Sequence, residues 1–134
     1  MTEDWKHKRL LFPQYYVLNP DHSTRKLAGY NALEQWAHAF EGTERHVAHN
    51  SFGHEAIGIV DVSTVFIGVD HRWIDEGPPL IFETMIFAPS AGEHSDLNGY
   101  TDRTSTWDEA LVAHARAVQL VKDAFSELQK ASGA

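Results

Sequence analysis

The chain contains no cysteine, which excludes a disulfide framework, a thiolate zinc site, an iron–sulfur cluster, a cysteine nucleophile and thiol redox chemistry. Any chemistry falls to His, Asp, Glu, Ser and Thr. Basic residues are scarce as well: eleven Lys and Arg face nineteen Asp and Glu, a net charge of −8, and such a balance opposes non-specific attraction to nucleic acid or anionic lipid. No apolar run approaches the roughly 20 residues that span a bilayer. Met1 to Arg9 is charged and only Leu10-Leu11-Phe12 separates it from Pro13, so the apolar stretch of a secretion signal is missing and a cytoplasmic protein is expected. Gly-x-Gly-x-x-Gly, P-loop and Gly-x-Ser-x-Gly motifs are all absent, which leaves dinucleotide, NTP and esterase readings without support.

What is present suits one domain spanning residues 1–134, long enough to bury roughly two thirds of its unfolded surface without a metal or disulfide staple. A polar arm, 1–13, leads into Gln14 to Leu18, whose aromatic and β-branched side chains read as a strand stopped by Asn19-Pro20-Asp21. Asn31 and Glu34 form a possible capping box, and Leu33, Trp36, Ala37 and Phe40 repeat with helical spacing before Gly42, giving a first helix over 31–41. A hairpin is expected from 44–49 and 54–60 around a turn at Asn50-Ser51-Phe52-Gly53. A second pairs the β-prone stretch 61–69 with Leu80 to Phe87. Residues 88–104 hold Pro89, Gly92 and Gly99 and read as a long loop. Thr106 and Glu109 form a second capping box, opening a helix whose apolar seam is Trp107, Leu111, His114, Val118, Val121, Phe125 and Leu128, with 131–134 frayed. The expected architecture is α+β in the order β-α-β-β-β-α: an antiparallel sheet of about four strands with both helices on one face.

Glu83 stands inside an apolar strand, and a carboxylate there must be paired, protonated or solvated. Symmetry of the hairpin about its loop sets Val65 near Glu83 and Asp70-His71 at the strand end. An Asp, a His and a Glu around one opening could bind a metal or act as acid and base. The plainer reading, which is favoured, makes Asp70 a turn former bonding the loop backbone and gives Glu83 a partner in Thr64, Ser63 or the cap of the second helix. His114, inside the helical seam, reads as a hydrogen-bonded core histidine with Glu83 or Thr64 as partner. His46, His49 and His54 cluster near the first hairpin, but their spacing matches no metal motif. Arg45, Arg72 and Arg103, with Trp73, Tyr100 and Trp107, could clamp a phosphate and stack a base if loops 70–79 and 88–104 converge; solvated arginines are the simpler alternative. The candidate ligand-binding set is therefore Asp70, His71, Arg72, Glu83, Arg103, Trp107 and His114, with no catalytic residue, metal or cofactor assigned.

The stretch Val62-Ser63-Thr64-Val65-Phe66-Ile67-Gly68-Val69-Asp70-His71, followed by Gly77-Pro78-Pro79-Leu80-Ile81-Phe82-Glu83-Thr84-Met85-Ile86-Phe87 and then Ser105-Thr106-Trp107-Asp108-Glu109-Ala110 and His114, resembles a widespread family of short, uncharacterised phage and prophage proteins. The resemblance implies a phage gene product in the host cytoplasm and carries no assigned activity. The expected role is that of a small accessory protein that binds a host macromolecule, most simply a protein, without catalysis, as a possible homodimer through the second helix or a free strand edge. Sequestration of a small anionic or nucleotide ligand is the alternative, and a metal-dependent hydrolase built on Asp70, His71 and Glu83 the third reading.

Overall fold

Alternate residues of two neighbouring strands are sealed from water: Val60, Val62, Thr64 and Phe66 on one, Phe82, Thr84 and Ile86 on the next. Period-two burial of this kind marks a sheet with one packed face and one wetter face. The computed structural model describes residues 13–42, 44–70, 72, 77–94 and 96–133. In chain order its elements are β1 (Gln14–Leu18), β2 (Thr24–Lys26), α1 (Ala32–Gly42), β3 (His46–His54), β4 (Gly58–Phe66), β5 (Val69–Asp70), β6 (Phe82–Phe87), a 3-10 turn (Pro89–His94), β7 (Thr101–Thr104) and α2 (Trp107–Gly133). The protein is α+β, with a four-stranded antiparallel sheet ordered β3-β4-β6-β7 and a three-stranded antiparallel sheet ordered β2-β1-β5. No described helix is long and apolar enough to cross a membrane.

The long helix α2 packs on β3, β4, β6 and β7. Its start is fixed by the expected capping box: Thr106 Oγ1 accepts the Glu109 N–H at 3.1 Å, and Glu109 Oε1 accepts the Thr106 N–H at 3.2 Å and the Ser105 N–H at 3.2 Å. The buried face of α2 differs from the expected seam. It runs through Ala110, Ala113, His114, Ala117 and Val121, while Leu111 is 43% exposed. Three alanines let the helix axis approach the sheet closely, so the contact uses backbone proximity where large side chains would hold the layers apart.

Several expected boundaries shift. The first hairpin turns at residues 55–57, so Asn50 to Gly53 lie inside β3, Asn50 opposite Val62 and Gly53 opposite Ile59. The Asn-Ser-Phe-Gly composition suggested a turn there, but a nine-residue strand across an equally long β4 makes more ladder bonds than an early reversal. The 88–104 segment is not structureless: it holds the 3-10 turn and β7, tied together where Asn98 Oδ1 accepts the Ala88 N–H at 2.8 Å. The polar tetrapeptide Thr101-Asp102-Arg103-Thr104 gives no hydrophobic alternation because it is an edge strand. In α1, Asn31 Oδ1 accepts from the Gln35 side chain at 2.7 Å, where the sequence suggested a box with Glu34, and Leu33 is 53% exposed. α1 packs on β1 of the small sheet. There Tyr15 and Trp36 meet at 5.8 Å and Trp36 and Phe40 at 4.6 Å between ring centroids.

The core comes in two parts. One gathers Ile57, Val60, Val62, Ile86, Ala88, Leu97, Ala117 and Val121; the other gathers Phe66, Ile81, Phe82 and Ala110. Thr64, Thr84 and His114, all buried, fall between them along β4, β6 and α2 and form a polar layer.

Candidate functional site

The polar layer is a connected run of hydrogen bonds among buried side chains. Thr64 and Thr84 lie opposite each other in the β4–β6 ladder, and their hydroxyl oxygens are 2.7 Å apart. His114 reaches down from α2 with Nδ1 2.8 Å from Thr64 Oγ1 and Nε2 2.7 Å from Asn50 Oδ1. One proton assignment satisfies every atom: the Thr84 hydroxyl donates to Thr64, the Thr64 hydroxyl donates to His114 Nδ1, and His114 Nε2–H donates to Asn50. This is the neutral imidazole. Burial lowers the His114 pKa below the usual histidine value, and the charge of nearby His49 lowers it further. Of the two partners considered from sequence, Thr64 is the one found; Asn50 was missed because it was read as a turn residue.

Glu83 lies on the opposite, wetter face. Its register neighbours are Val65 on β4, as hairpin symmetry implied, and Arg103 on β7. Arg103 Nε donates to Glu83 Oε2 at 3.0 Å, with the Glu83 side chain 18% and the Arg103 side chain 41% exposed. The partner is therefore neither Thr64, Ser63 nor the helix cap. A carboxylate amid apolar neighbours is accommodated by a cross-strand arginine, a pairing available to directly opposed residues.

Asp70 belongs to the small sheet, opposite Gln14. Its carboxylate is almost fully buried and holds Arg72 by a fork: Nε donates to Oδ1 at 3.0 Å and Nη2 to Oδ2 at 2.9 Å, while the Arg72 backbone N–H donates to Oδ1 at 3.2 Å. Burial alone would raise the Asp70 pKa, but the hydrogen bonds and charge of Arg72, with a backbone bond from Leu80, outweigh it and leave the value lowered. Asp70 is thus the turn former of the plainer reading. His71 and Trp73 lie outside the described residues.

The remaining candidates do not converge on one pocket. Trp107 stacks on His22 at 3.6 Å between centroids, nearly parallel, and meets Phe82 edge-on. His22, at the tip of the β1–β2 hairpin with φ of 74°, pins the small sheet to the start of α2 and had no sequence signal. Tyr100 packs on the larger core cluster, and Arg45 lies over the Phe40 ring at 3.5 Å. Each histidine of the first hairpin has its own partner: His46 pairs with Glu44, His49 with Asp61, and His54 accepts the Ala56 N–H and packs on Phe125. Among the described residues no three His, Asp or Glu side chains gather as a metal ion would require.

One concave feature collects polar residues that the sequence left apart. A groove of about 410 Å³ runs between the end of β7 and the first turns of α2, lined by Leu80, Arg103, Thr104, Ser105, Asp108, Glu109, Val112 and Arg116. Its guanidinium groups are both engaged, Arg103 with Glu83 and Arg116 with Asp102 at 3.2 Å. Two carboxylates share its lining, so its charges balance. Asp102 and Arg116 were missed in the sequence, although their opposite signs on adjoining segments were visible there. No protein-family model, curated protein or solved structure matches this chain.

Proposed function

We propose that this chain is a non-catalytic binding protein, a small phage-type accessory protein that engages a protein in the host cytoplasm. The observation that carries the reading is the state of its reactive side chains. Asp70, Glu83 and His114 are each held by an internal partner of complementary hydrogen-bonding or charge character. A general acid, base or nucleophile must instead present its working atom to a substrate. Exposed apolar side chains support a protein partner: Ile59 and Phe87, on the sheet face away from α2, are 58% and 44% exposed. Isolated exposed apolar residues are ordinary, but two on one uncovered sheet face offer an anchor.

A second reading, sequestration of a small anion, draws on the Arg103 and Arg116 guanidinium groups in the groove. Asp108 and Glu109 in the same lining oppose it. Thermal unfolding of the full chain against magnesium, manganese, zinc, nucleoside mono- and triphosphates and cyclic nucleotides separates the two, because a ligand that binds only the folded state raises the midpoint by mass action. A flat panel is expected, together with capture of one host protein that is lost in Ile59→Lys/Phe87→Lys at an unchanged unfolding midpoint, the second lysine lying opposite Asp61. A shift of several degrees with one nucleotide or metal would overturn the protein-binding reading.

A further inference from the structure

On α2, Asp108, Val112, Arg116 and Leu120 follow one another at intervals of four and form a single stripe along the helix. The stripe faces away from the sheet, since all four are exposed, Val112 at 58% and Leu120 at 38%. Its first three residues line the groove beside β7. The pattern is acid, apolar, base, with the apolar residue midway. A stripe ordered in this way is complementary to itself when reversed. If two copies of α2 lie antiparallel with a two-fold axis at Val112, Val112 meets Val112, and Asp108 of each copy faces Arg116 of the other. The same reversal carries Leu120 one turn beyond the other copy's Asp108, toward the Leu80 and Ser105 end of its groove.

We propose that a second copy of this chain closes the groove between β7 and α2 by this antiparallel contact. Charge selects the occupant. At −8 the chain repels another copy over most of its surface, whereas this stripe brings opposite charges together twice. Arg116 holds Asp102 through Nη1 alone, which leaves Nη2 as a donor, and Asp108 makes no ion pair among the described residues. A small anion would meet Asp108 and Glu109 in the same groove, and an acidic peptide would meet them along its length. The contact is independent of the host-protein reading, which uses the other side of the sheet.

The test is light scattering of the full chain on a sizing column across a concentration series. The wild type is expected to reach about twice its 15.1 kDa, and Val112→Glu, which places two acids at the axis, to weaken association at least about tenfold. The stronger arm uses two charge reversals. Asp108→Arg alone opposes arginine to arginine, and Arg116→Glu alone opposes acid to acid, so each variant is expected to run at 15.1 kDa. Mixed in equal amounts, they restore both opposite-charge contacts and form a heterodimer. Both sites are exposed, so far-UV circular dichroism should match the wild type, and unfolding midpoints should fall only modestly, since the monomers lose the stabilisation of association and each variant a local charge contact. A wild type that stays at 15.1 kDa, a dimer that survives Val112→Glu, or a mixture that stays monomeric overturns the proposal. Groove occupation by inorganic phosphate in titration calorimetry, with no dimer, would also overturn it.

Discussion

The four-stranded sheet with α2 and the small sheet with α1 solve the same packing problem with different means. In the first, small residues on the helix meet alternating apolar residues on β4 and β6, and the polar atoms between two apolar clusters complete a chain of hydrogen bonds. In the second, aromatic rings dominate: Tyr15, Tyr16, Trp36 and Phe40 surround β1. The indole N–H of Trp36 is buried without a partner among the described residues. Gly68 shows how close this second packing is, because a Cβ there would lie 2.7 Å from both Trp36 Nε1 and the Tyr16 carbonyl oxygen, at a φ of +68°. The lesson is that a polar atom inside this protein is costly or harmless according to whether its neighbours complete the bonding pattern. Apolar area alone does not separate the two regions.

The largest effect should follow from opening the first region. Phe82 is fully buried against Phe66 and Trp107, and Phe82→Ala should cost about 3–5 kcal/mol of stability, read by denaturant unfolding. Next in size is Arg72→Ala, which strips the buried Asp70 of its fork and should cost about 3 kcal/mol at neutral pH. Because the folded Asp70 pKa is lowered, the stability it contributes is present above the ordinary aspartate value and fades as pH falls through the folded one. The wild type and Arg72→Ala should therefore converge in acid. A constant gap across that range would show that the arginine acts by packing.

Most of the first region was legible in the sequence and much of the second was not. β4 and β6 announce themselves by β-branched and aromatic alternation, and the Val65–Glu83 opposition follows from symmetry about one loop. The start of α2 follows from Thr106 and Glu109. β5 and β7 are too short and too polar to show a period. The stack of His22 on Trp107 joins segments remote in the chain, through a ring at a hairpin tip whose role no local pattern encodes. The candidate site scattered for a related reason: residue type names the chemistry a side chain can do, while its partner decides whether that chemistry is free. Arg103 and Arg72 were grouped as anion ligands, yet each lies beside a carboxylate that composition could not match to it.

The smallest effect is expected in the second region. Trp36→Phe removes an unpartnered buried N–H together with part of a ring, so its change in stability should stay within about 1 kcal/mol despite the loss of volume. By contrast His114→Ala strands the fully buried Thr64 hydroxyl, while exposed Asn50 turns to water, and about 1–3 kcal/mol should be lost. If Trp36→Phe proved the more damaging of the two, the distinction between completed and incomplete polar packing would fail.

If the reactive residues of this chain serve its fold, His114 shows it most directly. Its folded pKa is lowered, so the stability it contributes is complete above the ordinary histidine value and is lost as pH falls through the folded value. Imidazole nitrogen spectroscopy across a pH titration reads both tautomer and pKa. A neutral ring with its proton on Nε2, titrating below 6.5, is expected. A ring that titrates at or above that value, protonated on both nitrogens near neutrality, would contradict it, because a buried imidazolium would then be available to an anion and the polar layer would be a site.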